Sequence, residues 1–129
     1  DLDHPIHREG MDRLAARGVT ILSVASQSGK PGDRLALHDL LRQLADLGMN
    51  EVHLEAGPAL VGGFWSESLI DEWLVYLAPI FLGQGMPPVS GLPELGSVEA
   101  AHRWQLIGQE AVGDGLRIRL TKPEPVLAP

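Results

Sequence analysis

Glu55-Ala56-Gly57-Pro58-Ala59-Leu60-Val61-Gly62-Gly63, preceded by Val52-His53-Leu54, is the stretch that decides the fold. Three apolar-to-neutral residues of β type run into a Gly-Pro step, and an apolar segment of helical length follows. Pro58 suits the first helical position, where its missing N–H has no partner to lose. Gly57 lets backbone approach a ligand closely or take positive φ. The amides of Ala59, Leu60 and Val61 then stand as unsatisfied donors at the positive end of a helix dipole, the usual seat of a phosphate. Gly62 and Gly63 add backbone access and close packing. The spacing of these glycines matches neither the dinucleotide fingerprint nor a Walker A loop, and a plain strand-turn-helix uses such glycines too. Glu55 ends the strand beside this anion site. A carboxylate there requires a hydrogen bond, either to a ligand or to neighbouring amides.

Working outward, the flanking sequence reads as alternating strands and helices. On the N-terminal side, residues from Pro5 to about Arg17 form a weakly periodic helix stopped by Gly18. Val19 to Val24 is a β-branched run expected as an interior strand, and Ala25 to Gly32 a loop. Leu37, Leu40, Leu41, Leu44 and Leu47 mark the clearest helix, closed by Gly48. Its start is ambiguous, since Asp33 can cap a helix and the nearer Ala36 cannot. Glu51 to Glu55 is the next strand, and the helix from Pro58 runs to about Glu67.

On the C-terminal side, Glu72 to Pro79 is apolar on both alternating faces, as in a central strand covered by helices. Ile80 to Gly96 holds too many Gly and Pro residues for a regular element, and within it the loop Gly83 to Gly96 borders either a substrate cleft or another subunit. Arg103 to Gln109 and Leu116 to Thr121 make a hairpin around Gly113-Asp114-Gly115. The tail from Lys122 to Pro129 carries three prolines. Right-handed βαβ units on a mixed, mainly parallel sheet follow, with helices on both faces and an antiparallel hairpin at one edge. Ligands of such sheets collect beyond the carboxyl ends of the strands, where Glu55 and Gly57 fall.

Composition narrows the function classes. At 129 residues, with 44% apolar and 21% charged residues, the chain fits one domain with a core. Its formal charge of −7 and the absence of any basic run argue against a nucleic-acid surface. No Cys is present, which excludes disulfides, thiolate metal sites and a Cys nucleophile and fits a cytoplasmic setting. No apolar run is long enough to span a membrane. The first residue is Asp1, so a longer parent is expected.

Met49-Asn50, Leu54-Glu55-Ala56-Gly57-Pro58, Ile70-Asp71-Glu72 and Tyr76-Leu77-Ala78-Pro79-Ile80-Phe81-Leu82-Gly83 together resemble the C-terminal reductase domain of bacterial riboflavin-biosynthesis deaminase/reductases, over nearly the whole chain. The resemblance implies a three-layer dihydrofolate-reductase-like α/β fold, NADPH as hydride donor, and reduction of 5-amino-6-(5-phosphoribosylamino)uracil to its ribitylamino product. It also implies a homodimer. Glu55 matches the family's substrate-contacting glutamate, and Gly57 through Gly63 match its NADP-binding segment. Ala56 stands where the family often has Gly, and Ala36 replaces an Asp often found before the second helix. The family's domain begins with further strands bearing a Ser-Leu-Asp-Gly-type and an Asp-Asp-Pro-type motif, and neither occurs here. The fused zinc deaminase and its Pro-Cys-x-x-Cys signature are absent too, so no metal is expected. Two alternatives stay open: a truncated, non-catalytic folding or oligomerisation module, and a pterin or folate reductase of the same fold.

Other residues have simpler explanations. Asp71 and Glu72 form a tempting acid/base pair, yet a turn or a surface partner before a strand accounts for them. His4 and His7 have helical spacing but lack a third strong ligand. His53 reads as a sheet histidine, and Trp65, Trp73 and Trp104 read as core or interface aromatics. Lys30 and Arg34 either meet an adenosine phosphate or face solvent. No proton donor can be named from the sequence.

Overall fold

The computed structural model describes residues 5–29 and 33–123, with side chains from Arg8 onward. The chain divides into two compact units, Asp1–Leu54 and Glu55–Pro129. The first holds helices α1 (Pro5–Ala15) and α2 (Leu37–Asp46); the second holds α3 (Pro58–Ser66) and strands β1 (Glu72–Leu77), β2 (Gln105–Val112) and β3 (Gly115–Thr121).

In the first unit, α2 buries Leu37 and half-buries Leu40, Leu41 and Leu44, as its spacing predicts, while Leu47 remains exposed. Ala36 occupies the N-cap without any side-chain bond. Asp33 does not cap the helix: its carboxylate accepts from the Ser28 side chain and from the Arg34 amide, the latter at 2.8 Å, and these bonds hold its pKa below the usual value. A single antiparallel bridge joins Ser26 to Leu35, and the Gln43 side-chain amide donates to the Ser23 carbonyl at 3.1 Å.

All three helices end in the same motif. A residue two or three positions past the last helical one takes positive φ, at Gly18 (80°), Gly48 (83°) and Ser68 (58°). Its amide and the next one reach back to the last turn, as in Gly48 to Ala45 at 2.8 Å and Met49 to Leu44 at 3.1 Å. These bonds satisfy carbonyls that a helix end leaves open.

In the second unit the strands pair antiparallel in the order β1-β3-β2. Gly113 (φ 62°) supplies the first residue of the two-residue hairpin turn, as the Gly-Asp-Gly signal predicts. One sheet face carries Trp73, Val75, Leu116, Ile118 and Leu120; the other carries Glu72, Arg117, Arg119 and Glu110. On that charged face Arg119 grips Glu72 through two bonds of 2.9 Å, and Arg117 pairs with Glu110.

The mainly parallel sheet does not appear among the described residues. Neither Val19–Val24 nor the run 51–55 is a strand, and β1, expected in the centre, pairs with β3 alone. The reason is physical: an interior strand is held by the strands hydrogen-bonded to it on both sides, and β propensity without such neighbours leaves only an apolar segment. Val19 and Ile21 are accordingly exposed, as is Val52.

Candidate functional site

Glu55 to Gly63 lies wholly within the second unit. Gly57 is the N-cap of α3 with φ −67° and ψ 161°, and no side chain caps the helix. That backbone is extended, so positive φ is not what calls for glycine here, and a methyl group on Gly57 would meet nothing within 4 Å. Pro58 stands in the first turn as expected. The amides are less available than their order in the sequence implies. Leu60 and Val61 both donate to the Gly57 carbonyl, at 3.1 and 3.2 Å. The expectation of three bare donors is therefore corrected. Counting from the N-cap, Val61 is the first residue whose amide makes a regular helical bond, and Leu60 is drawn into a tighter three-residue bond. Among the described residues, the Ala59 amide keeps no such partner.

Val61 and Phe64 turn into the core, with relative exposures of 7% and 5%. Gly62 packs as the glycine pair predicts, but its partner is protein. A methyl group there would lie 1.8 Å from the Ser90 carbonyl oxygen, and the Ser90 amide donates to the Pro58 carbonyl at 3.1 Å. Nothing in the sequence marks Ser90 itself, which sits in a stretch of turn formers. The one signal was that stretch's length, which calls for an anchor. Glu55 is exposed and stands two residues before the N-cap.

Asp71 and Glu72 are surface partners, as the simpler reading has it. Asp71 meets Lys122 at 3.1 Å, and Arg119 holds the Glu72 carboxyl below its usual pKa. Trp65, Trp73 and Trp104 form a cluster, with centroids 5.4 Å apart for Trp65 and Trp73 and 5.5 Å for Trp65 and Trp104. His102 stands edge-on to Trp65 at 5.8 Å. A recess of about 560 Å³ opens beside them, lined also by Arg103 and Lys122. It belongs to the C-terminal end of α3, one helix length from Gly57. His53 is exposed and Arg34 is exposed, while Lys30, His4 and the His7 side chain lie outside the described residues. Among the described residues no group of three or more His, Asp or Glu side chains is arranged to hold a metal, and no helix is long and apolar enough to cross a membrane.

Comparison with known proteins extends this picture. The model of the RibD C-terminal domain matches residues 3–118. A riboflavin biosynthesis protein RibD from Haemophilus influenzae is 34% identical over 85 residues, covering 66% of this chain and 23% of that protein. One from Mycobacterium tuberculosis is 38% identical over 84 residues, covering 64% of this chain and 23% of its own length. Among solved structures, Acinetobacter baumannii RibD (form 1) superposes with a TM-score of 0.65 at 27% identity, over 88% of this chain and 29% of that one. The chain thus spans about a quarter of the length of the curated relatives it matches. With the family model covering all but the ends, this α/β chain belongs to the RibD C-terminal domain family.

Proposed function

We propose that this chain serves the NADPH-dependent reduction of 5-amino-6-(5-phosphoribosylamino)uracil to its ribitylamino product in riboflavin biosynthesis. The observation that carries the reading is the uncapped start of α3 on a chain of this family, with Glu55 two residues before it. When bound, NADPH supplies the hydride. The chain's own part is to bind and orient. The Ala59 amide and the positive end of α3 hold cofactor phosphate, with Gly57, Pro58, Leu60, Val61, Gly62 and Gly63 shaping the segment around it. Glu55 accepts a hydrogen bond from the substrate and fixes it relative to the nicotinamide. Asp71 and Glu72 take no part, being committed to Lys122 and Arg119. The complete three-layer, mainly parallel sheet, the homodimer and the cytoplasmic setting belong to the same proposal.

Titration with NADPH and NADH, followed by tryptophan emission and melting temperature, tests the cofactor. Because a ligand of the folded state raises stability, NADPH at a hundred times its Kd adds roughly 2.7 kcal/mol. Absence of any shift at millimolar cofactor overturns the reading. Glu55→Gln is expected to weaken substrate binding about tenfold, the loss of a charge-assisted hydrogen bond, with NADPH affinity unchanged. Turnover of dihydrofolate in place of the pyrimidine would reassign the substrate. A second reading, a folding or association module, is favoured by one observation: the runs 19–24 and 51–55 form no strand.

A further inference from the structure

The segment 80–96 leaves β1 through Pro79 and is exposed almost throughout; only Val89 and Ser90 are half-buried. These two mark where the loop meets α3, through two contacts on one helical face. The Ser90 amide donates to the carbonyl of Pro58, and the Ser90 carbonyl oxygen occupies the space a side chain at Gly62 would need. Pro58 and Gly62 are four residues apart, hence stacked one turn above the other. Directly after this seat, Gly91 turns the chain with φ 75°, a conformation that favours glycine. We propose that Gly62 and Ser90 form a seat that positions the 80–96 loop against the first turn of α3, and that this seating and nucleotide binding at that turn are coupled. The inference rests on the cofactor reading of α3 and adds to it a role for the loop and for Gly62, whose open face receives backbone and not phosphate.

The physical case is local. The first turn of α3 has no side-chain cap, so the Ser90 bond to Pro58 is a tether from outside the helix on the turn that presents the Ala59 amide. Fixing that turn in advance lowers the ordering cost of binding a phosphate. Coupling of binding free energies is reciprocal, so a bound nucleotide must hold the loop down as firmly as the loop assists the nucleotide.

Two substitutions act from opposite sides. Gly62→Ala puts a methyl group into the Ser90 carbonyl and unseats the loop from the helix side. Gly91→Ala strains the turn from the loop side, where a methyl group meets nothing within 4 Å, so α3 is untouched and folding is not at risk from a clash. The first readout needs no cofactor: cleavage after the exposed Glu94 by a glutamate-specific protease, followed by mass spectrometry. Both variants are expected to be cut about tenfold faster than the unmodified chain, since local opening sets the rate. The second readout is NADPH affinity, expected to weaken about tenfold in both variants, with NADPH slowing Glu94 cleavage in the unmodified chain by the reciprocal factor. A merely structural seat would not give that protection. Unchanged cleavage in both variants overturns the seat. Faster cleavage with unchanged NADPH affinity in Gly91→Ala overturns the coupling. Failure of the unmodified chain to bind NADPH overturns the cofactor reading and the coupling with it, while the first readout still decides whether the seat exists.

Discussion

Ser68 shows what one residue contributes when its backbone is fixed by its neighbours. It holds φ 58° at the end of α3, where α1 and α2 use Gly18 and Gly48, and it is the one non-glycine with positive φ among the described residues. Its amide and that of Leu69 close the last turn on Trp65 and Phe64, each at 2.9 Å, so the conformation is imposed by the motif. A side chain in that region costs free energy that glycine does not. Ser68→Gly is therefore expected to stabilise the chain by roughly 0.5–1 kcal/mol, whereas Gly48→Ala should cost about 1 kcal/mol, both read from urea unfolding. Gly18 and Gly48 were legible as stops because glycine signals this geometry. Ser68 was not, because serine carries no such signal. The same limit applies at α3: Gly57 and Pro58 announced the N-cap, but availability of the amides depends on which of them the Gly57 carbonyl captures, a property of the turn and not of composition.

At the scale of elements, what could be read depended on whether an element's partner lies close in sequence. The β2–β3 hairpin was legible because turn and alternation are local, and the helices because each carries its own hydrogen bonds. The parallel strands were not, because Val19–Val24 is a strand only with strands beside it. The packing of β1 on β3 gives two tests. A methyl group on Gly115 would lie 2.7 Å from the Leu77 carbonyl oxygen, backbone that cannot give way without loosening the edge pairing. Gly115→Ala is expected to destabilise by about 1–3 kcal/mol and to raise amide exchange across β1. The Glu72–Arg119 pair adds a pH dependence. Arg119 lowers the Glu72 pKa in the folded state, so its contribution is complete above the unfolded value, about 4.3, and is lost as pH falls through the depressed one. Melting curves of the unmodified chain and Glu72→Gln should differ at pH 6 and converge in acid. Since the pair is exposed, high salt should shrink the gap as well.

For the molecule as a whole, burial is the deciding quantity. Only Leu37, Val61 and Phe64 are buried apolar residues among those described, while Ile80, Phe81, Leu82 and Met86 are exposed at 64%, 103%, 87% and 81%. The Trp65–Trp73–Trp104 cluster is half-buried, and the Trp73 indole N–H is buried without a hydrogen-bond partner. A fold whose apolar side chains mostly keep contact with water gains little from the hydrophobic effect, and its unfolding uncovers little new surface. The isolated chain should therefore unfold with a shallow urea dependence, at the low end of roughly 1–3 kcal/mol per molar, and should enhance the emission of an apolar dye before any denaturant is added. Addition of NADPH is expected to steepen nothing, because it binds one turn of one helix, but to move the midpoint upward in proportion to the logarithm of its concentration. A steep transition with no dye binding would mean that the exposed apolar residues are covered in solution. Sedimentation over a hundredfold range of concentration would then show whether a second copy covers them, since association must weaken on dilution and a folded-over single chain must not.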